Sequence, residues 1–398
     1  MKIIDGEDIQ KKVFGMIESS SEVVILMDPY LVLNQELVNL IESKCLQNIH
    51  FFISSMPNKS IEELSKRFPI HVHLNSIQNT NASITNVNFF NLDKVVMKKP
   101  NLSVRCCFVD GRDILFSNYL TQRDNNKMNI RDRCFGLLFQ KKNVDTIFIS
   151  LWNNKLINDK AREIDSQLYK MHQYELMISM IQRATKYIYI EAKYFWSDDR
   201  SQNRIAEALA NKIKQKHNSN QPFKVVIVTN RRNHKLNYQN QLTTTCSTSQ
   251  SFNYLFHETN LSKKDFETYC SLNFLNSPNS AIVVENLILC VDGLNLLFST
   301  GFIDDNTLIR SPNMDRNLGI YLNNTTTVRL FEAKLYRSLL RANQSNLEPT
   351  IDDVFVSASQ AKYDIHKYKF QTDCELIDLF NKEESNLVKL LLRSELIL

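Results

Sequence analysis

Apolar residues recur three and four apart over 9–17, 35–45 and 60–68, a spacing that predicts helices with one buried face, while short unbroken apolar runs at 23–27, 49–54 and 71–74 predict buried strands. Their alternation, with strands separated by helical crossovers, predicts a sheet with parallel strands flanked by helices. From 76 to 101 the chain is polar and asparagine-rich and reads as a loop. Then VDGRDILFSN, at 109–118, sets two apolar runs around Asp-Gly, the signature of a tight hairpin. A strand at 134–139 and a helix at 144–155 complete this half.

The same order then begins again. MIQRATKYIYIEAKYFW at 180–196 aligns without a gap on MIESSSEVVILMDPYLV at 16–32, and a helix at 203–216 and a strand at 223–229 follow. VDGLNLLFST, at 291–300, is a second copy of the Asp-Gly hairpin. Each hairpin precedes Asp-Arg-x-x-Gly, as Asp132, Arg133 and Gly136 and again as Asp315, Arg316 and Gly319. In a chain with only 7 glycines this recurrence points to duplication. The strand 319–322 and the helix 328–340 close the second half, whose insertion is read as a polar loop at 230–250 and short helices at 251–257 and 264–269. The expected domains are 1–160, 161–341 and an extension, 342–398, with a strand at 353–357 and a helix at 375–398 that packs back or meets a protein partner.

Composition narrows the class. At 398 residues and 43% hydrophobic the chain holds enough apolar surface for two ordinary domains, and a net charge of +5 gives little support for a strongly anionic partner. No apolar run approaches the roughly 18 to 20 residues that span a bilayer. The 8 cysteines form no CxxC pair, which suggests free thiols in a reducing compartment, with Cys106 and Cys107 in the core. His71 and His73 alternate on a strand without acidic or cysteine partners at metal-site spacing, so neither a metal nor another cofactor is expected.

The segment IYIEAKYF at 188–195, the strand after it and the duplicated Asp-Gly hairpins resemble the phospholipase D superfamily over nearly the whole chain to 340. The resemblance implies an α/β fold of two similar halves, each a mixed sheet flanked by helices, related by a pseudo-two-fold axis, with a C-terminal helical extension. It also implies a metal-free site built from His-x-Lys-x4-Asp and Gly-Ser-x-Asn in each half: one histidine attacks phosphorus, the other protonates the leaving oxygen, and lysines and asparagines hold the phosphoryl oxygens.

This sequence departs from that pattern. Counting back from Asp110, the histidine and lysine positions hold Ser103 and Arg105; counting back from Asp292, they hold Glu285 and Leu287. The asparagine positions hold Leu120 and Phe302. No histidine of the chain (His50, His71, His73, His172, His217, His234, His257 and His366) precedes a lysine by two. Loss of the nucleophile, the acid and part of the cationic clamp together exceeds the roughly 10²- to 10⁴-fold assigned to one acid-base group.

The expectation is therefore a catalytically inactive phospholipase D-like protein, with Asp110 and Asp292 kept as turn formers. Its residual cleft would lie between the halves, lined by Ser103, Arg105, Glu285 and Leu287. The binding candidates are Arg105, Ser117, Asn118, Ser299 and Thr300, with Tyr30 and Tyr194 on the rim. A phospholipid or other phosphodiester and a protein at the C-terminal helix are the partners considered, nucleic acid is not excluded, and the expected location is cytoplasmic, including peripherally at membranes. The alternative is an active phosphodiesterase or phosphatidyltransferase with a rebuilt site.

Overall fold

The structure, a computed structural model, describes residues 2–28, 31–55, 59–76, 105–110, 112–117, 120–121, 132–133, 135–140, 173–193, 195–230, 238–275, 283–284, 287–299, 302–309, 319–323, 325–340, 349–357 and 365–367. In the first half these form β1 (Lys2–Asp5), α1 (Gly6–Glu18), β2 (Val23–Met27), α2 (Gln35–Leu46), β3 (His50–Ser55), α3 (Lys59–Arg67), β4 (Val72–Ser76), β5 (Cys106–Val109), β6 (Asp113–Phe116), β7 (Asp132–Arg133) and β8 (Phe135–Gln140). The second half contains α4 (Gln173–Arg183), β9 (Tyr187–Glu191), α5 (Ile205–Asn218), β10 (Lys224–Asn230), α6 (Tyr238–Thr259), α7 (Lys263–Tyr269) and β11 (Cys270–Leu275). It continues through β12 (Val283–Val284), β13 (Leu287–Val291), β14 (Asn295–Ser299), α8 (Asp305–Leu308), β15 (Gly319–Leu322) and α9 (Thr325–Leu340), and α10 (Ile351–Ser357) and β16 (Ile365–Lys367) follow.

Two seven-stranded sheets result, ordered β1-β8-β6-β5-β2-β3-β4 and β15-β14-β13-β9-β10-β11-β16. Without the edge strands β1 and β16 the orders correspond strand for strand, so the duplication read in the sequence is a duplication of the sheet. In each sheet three strands are parallel (β2, β3 and β4; β9, β10 and β11), and the hairpin strands run antiparallel beside them. The short pair β7 and β12 joins the halves through backbone hydrogen bonding.

Strand alternation divides the apolar residues into three layers. Val24, Leu26, Cys107 and Val109 face α1, α2 and α3, and Ile188, Ile190, Leu287 and Leu289 face α4 and α5 in the same way. Val23, Ile25, Met27, Cys106 and Phe108 point to the opposite side, where they share one cluster with Tyr189, Val226, Ile288, Cys290 and the apolar face of α9 and α10. The halves thus enclose a common inner layer. Local signals hold the helices: the Asn34 side chain accepts from the Leu37 N–H at the start of α2. Lys44 donates to the Glu18 and Ser20 carbonyls at the end of α1.

Two sequence expectations are corrected. Residues 353–357 are helical, part of α10, because Thr350 and Asp353 cap one another: Thr350 N–H and Oγ donate to the Asp353 carboxylate, and the Asp353 N–H returns to the hydroxyl. The expected loop 230–250 is helical from Tyr238 onward, since α6 packs against α5 despite its low-propensity Thr, Ser and Asn residues. The expected helices 144–155 and 375–398 lie outside the described residues.

Candidate functional site

Arg105 enters β5 at the end of the sheet where β2 finishes. Its Nε lies 3.4 Å from Oδ1 of Asp28, and the side chains are 16% and 2% exposed. The other carboxylate oxygen of Asp28 accepts from the Leu120 N–H at 3.1 Å. Ser117, buried, donates its N–H to the Arg105 carbonyl at 3.2 Å. The first half therefore presents a guanidinium already opposed by a buried carboxylate.

The matching end of the second half has different chemistry. Leu287 is fully buried and packs with Met177, Ile190 and Leu289 in the second half's own helix-covered layer, so it does not line a cleft between the halves as expected. An apolar side chain at this position is drawn into the core beneath α4, whereas a lysine would seek water or an anion. Opposite it in the hairpin, Ser299 donates its hydroxyl to Oε1 of Gln173 at 2.8 Å, and the Nε2 of Gln173 is buried without a partner. Ala192 replaces Asp28 in the duplicated alignment, Phe302 replaces the family's asparagine, and the Lys193 ammonium sits 5.6 Å from the Phe302 ring centroid. Glu191, also buried, accepts from the Tyr189 hydroxyl at 2.6 Å. Ser103, Glu285, Asn118, Thr300, Tyr30 and Tyr194 lie outside the described residues.

Asp110 and Asp292 lie at the other end of the hairpin strands, about five residues and roughly 17 Å along from Arg105 and Leu287. Each adopts a left-handed backbone, with φ 51° and 58°. The Asp110 carboxylate accepts from the N–H groups of Ser21, Glu22 and Val23 and from the Ser21 hydroxyl. Asp292 accepts from the N–H groups of Thr185, Lys186 and Tyr187 and from the Thr185 hydroxyl. Both carboxylates pin the turn from the preceding helix into the central strand. Burial opposes ionisation of Asp110, but the three N–H donors and the hydroxyl outweigh it and hold the carboxyl below its ordinary range.

Among the described residues the other titratable groups give no catalytic constellation. His50 and His73 stack at 5.9 Å, His50 and His71 tilt at 5.3 Å, and His73 lies on Phe52 at 4.6 Å, all at the starts of β3 and β4, away from Arg105. Among the described residues no group of His, Cys, Asp and Glu has the arrangement to hold a metal ion. Cys106, Cys107 and Cys290 are buried and free, and burial pushes each thiol well above its ordinary value. These cysteines are inert packing groups rather than nucleophiles.

Sequence reasoning missed Asp28, Gln173 and Glu191 as the groups that decide the electrostatics at this end of the sheets. Gln173 left a trace: it occupies the place of Ile9 when the matched segments are extended back, a polar residue where the other half buries an apolar one.

Two mixed, helix-flanked sheets of one strand order define the phospholipase D-like fold. No protein-family model matches the sequence, and no curated protein matches it. The solved structure of phosphatidylserine synthase from Haemophilus influenzae Rd KW20 is similar with a TM-score of 0.57 at 9% identity, over 100% of this chain and 93% of that one. Polyphosphate kinase from Porphyromonas gingivalis gives a TM-score of 0.46 at 8% identity, over 85% of this chain and 47% of that one. The first likeness establishes the fold; the second adds no weight. Among the described residues no helix is long and apolar enough to cross a membrane.

Proposed function

We propose that this chain is a catalytically inactive protein of the phospholipase D-like fold that acts by binding. The observation that carries this reading is the state of the two lysine positions: Arg105 is committed to the buried Asp28, and Leu287 is fully buried. A phosphodiester arriving at the first half meets a buried carboxylate beside Arg105, and at the second it meets no cation at the matching position, Leu287. The ligand classes are a phosphate-containing molecule, a lipid surface or a protein partner. The likeness to a phosphatidylserine synthase argues for a phospholipid headgroup, held through contacts other than the two lysine positions.

A second reading, a rebuilt phosphodiesterase, draws support from Gln173, because its hydrogen bond to Ser299 sets a polar side chain against the hairpin of the second half. One experiment separates them. Purified protein is assayed for release of headgroup from phosphatidyl lipids and for flotation with vesicles of phosphatidylserine or phosphatidylcholine. The expected result is flotation with phosphatidylserine and no turnover. Turnover that persists to constant specific activity and falls in both Arg105→Ala and Gln173→Ala would establish the rebuilt site instead. Absence of both flotation and turnover would remove the lipid surface and leave a soluble phosphate-containing ligand or a protein partner.

A further inference from the structure

The inner layer carries an asymmetry that the duplication does not explain. On β2 the residues facing it are Val23, Ile25 and Met27; at the matching places on β9 they are Tyr187, Tyr189 and Glu191. Over them lies α9, whose apolar face of Val328, Phe331, Leu335 and Leu339 includes Glu332, 4% exposed. The Tyr187 hydroxyl donates to Oε2 of Glu332 at 2.8 Å, whereas Oε1 is buried without a hydrogen-bond partner. Tyr336, one turn further along α9, is buried with its hydroxyl likewise unpartnered, and its ring packs edge-on against Tyr189 at 5.5 Å. A buried carboxylate with one oxygen satisfied and the other empty is costly when charged and far less so when protonated.

We propose that Glu332 is a proton-operated latch, fastening α9 to the second sheet when neutral and loosening the shared inner layer when ionised. The groups facing it are Tyr187 from β9, Cys290 from β13, Asp292 from the hairpin turn, and Arg329 and Tyr336 from its own helix. Burial is the largest influence and raises the Glu332 pKa, from 4.5 to about 7; Asp292 adds to the rise, and Tyr187, Arg329 and Tyr336 oppose it. The hairpin turn shares the latch, because a Cβ on Gly293 would stand 3.2 Å from the Tyr187 hydroxyl and 3.3 Å from Oε2 of Glu332. With Lys334 of α9 donating to the Ile3 carbonyl on β1, the helix touches both halves.

The test is hydrogen exchange, read peptide by peptide on the full-length protein and corrected for the intrinsic pH dependence of exchange. From about pH 5 to about pH 8, protection in 325–340 is expected to fall at least tenfold in the wild type and to stay level in Glu332→Gln, while protection over 35–46 changes little in either. Unchanged protection in the wild type overturns the proposal, and so does a fall that persists in Glu332→Gln. Should that variant not fold, infrared difference spectra of the wild type must show a protonated carboxyl band lost over the same interval. Its absence overturns the proposal equally.

Discussion

Asp110 and Asp292 show how one residue type serves a fold after the chemistry around it has changed. Each carboxylate satisfies three strand-entry N–H groups and one hydroxyl, Ser21 in the first half and Thr185 in the second, positions that coincide in the duplicated alignment. Replacing either aspartate with alanine strands these donors and is expected to cost about 2–4 kcal/mol, measured by urea unfolding, with asparagine intermediate. Because the Asp110 pKa is depressed in the folded state, its contribution is fully present above its unfolded value of 3.8 and is lost as pH falls through the folded value. The acid limb of the stability curve should therefore flatten in Asp110→Asn. Arg105→Ala is predicted to destabilise the first half by about 3 kcal/mol, since it leaves Asp28 buried without its cation, and Arg105→Ala combined with Asp28→Asn should recover part of the loss. The sequence displayed the Asp-Gly turn plainly. It did not display that the carboxylate reaches back 89 residues, or that Asp28 closes over Arg105, because both contacts depend on which strand ends meet.

At the scale of elements, the strands buried on both faces were the most legible, since β2, β9 and β13 are unbroken or nearly unbroken apolar runs that only a covered sheet can hold. Strands lacking that pattern were missed. β1 is KIID, an edge strand with charge at both ends, and β11 interrupts its apolar residues with Ser271 and Asn273 on the inner face. The misassigned helix at 351–357 was betrayed by alternation in VFVS, although Thr350 and Asp353 at capping-box spacing were visible. Glu332 could also have been found, as a lone carboxylate four residues beyond Val328 and four before Tyr336 on an otherwise apolar face. The hairpin of the second half has its own prediction. Gly293 has φ +66°, and a methyl there would press on Tyr187 and Glu332, so Gly293→Ala should lower stability by about 1–2 kcal/mol; Asp292→Gly, by contrast, relieves strain while losing four hydrogen bonds and should fare worse. Thermal melts of the two variants side by side check that ranking.

For the whole molecule the consequential fact is that the two halves do not have separate interiors. Each keeps a private layer beneath its helices, but the inner faces of both sheets join a single cluster with α9 and α10, and β7 pairs with β12 across the boundary. A structure divided this way resists independent unfolding, because opening one half exposes the apolar inner face of the other. Phe108 tests it: the side chain is 2% exposed on β5, in the first half, within the shared cluster. Phe108→Ala is expected to cost about 3–5 kcal/mol, the range for a large buried aromatic. The decisive reading is where that loss registers. Trp196 lies in the second half and, with Trp152→Phe as background, is the sole tryptophan of the chain. Its fluorescence midpoint in urea should move with the far-ultraviolet circular dichroism midpoint and by the same amount. If the Trp196 transition stays in place while the circular dichroism curve splits in two, the halves fold separately and the inner layer is an interface rather than a core. Coincident shifts would mean that substitutions in the first half are felt at the Arg105 and Leu287 ends alike, through stability rather than through contact.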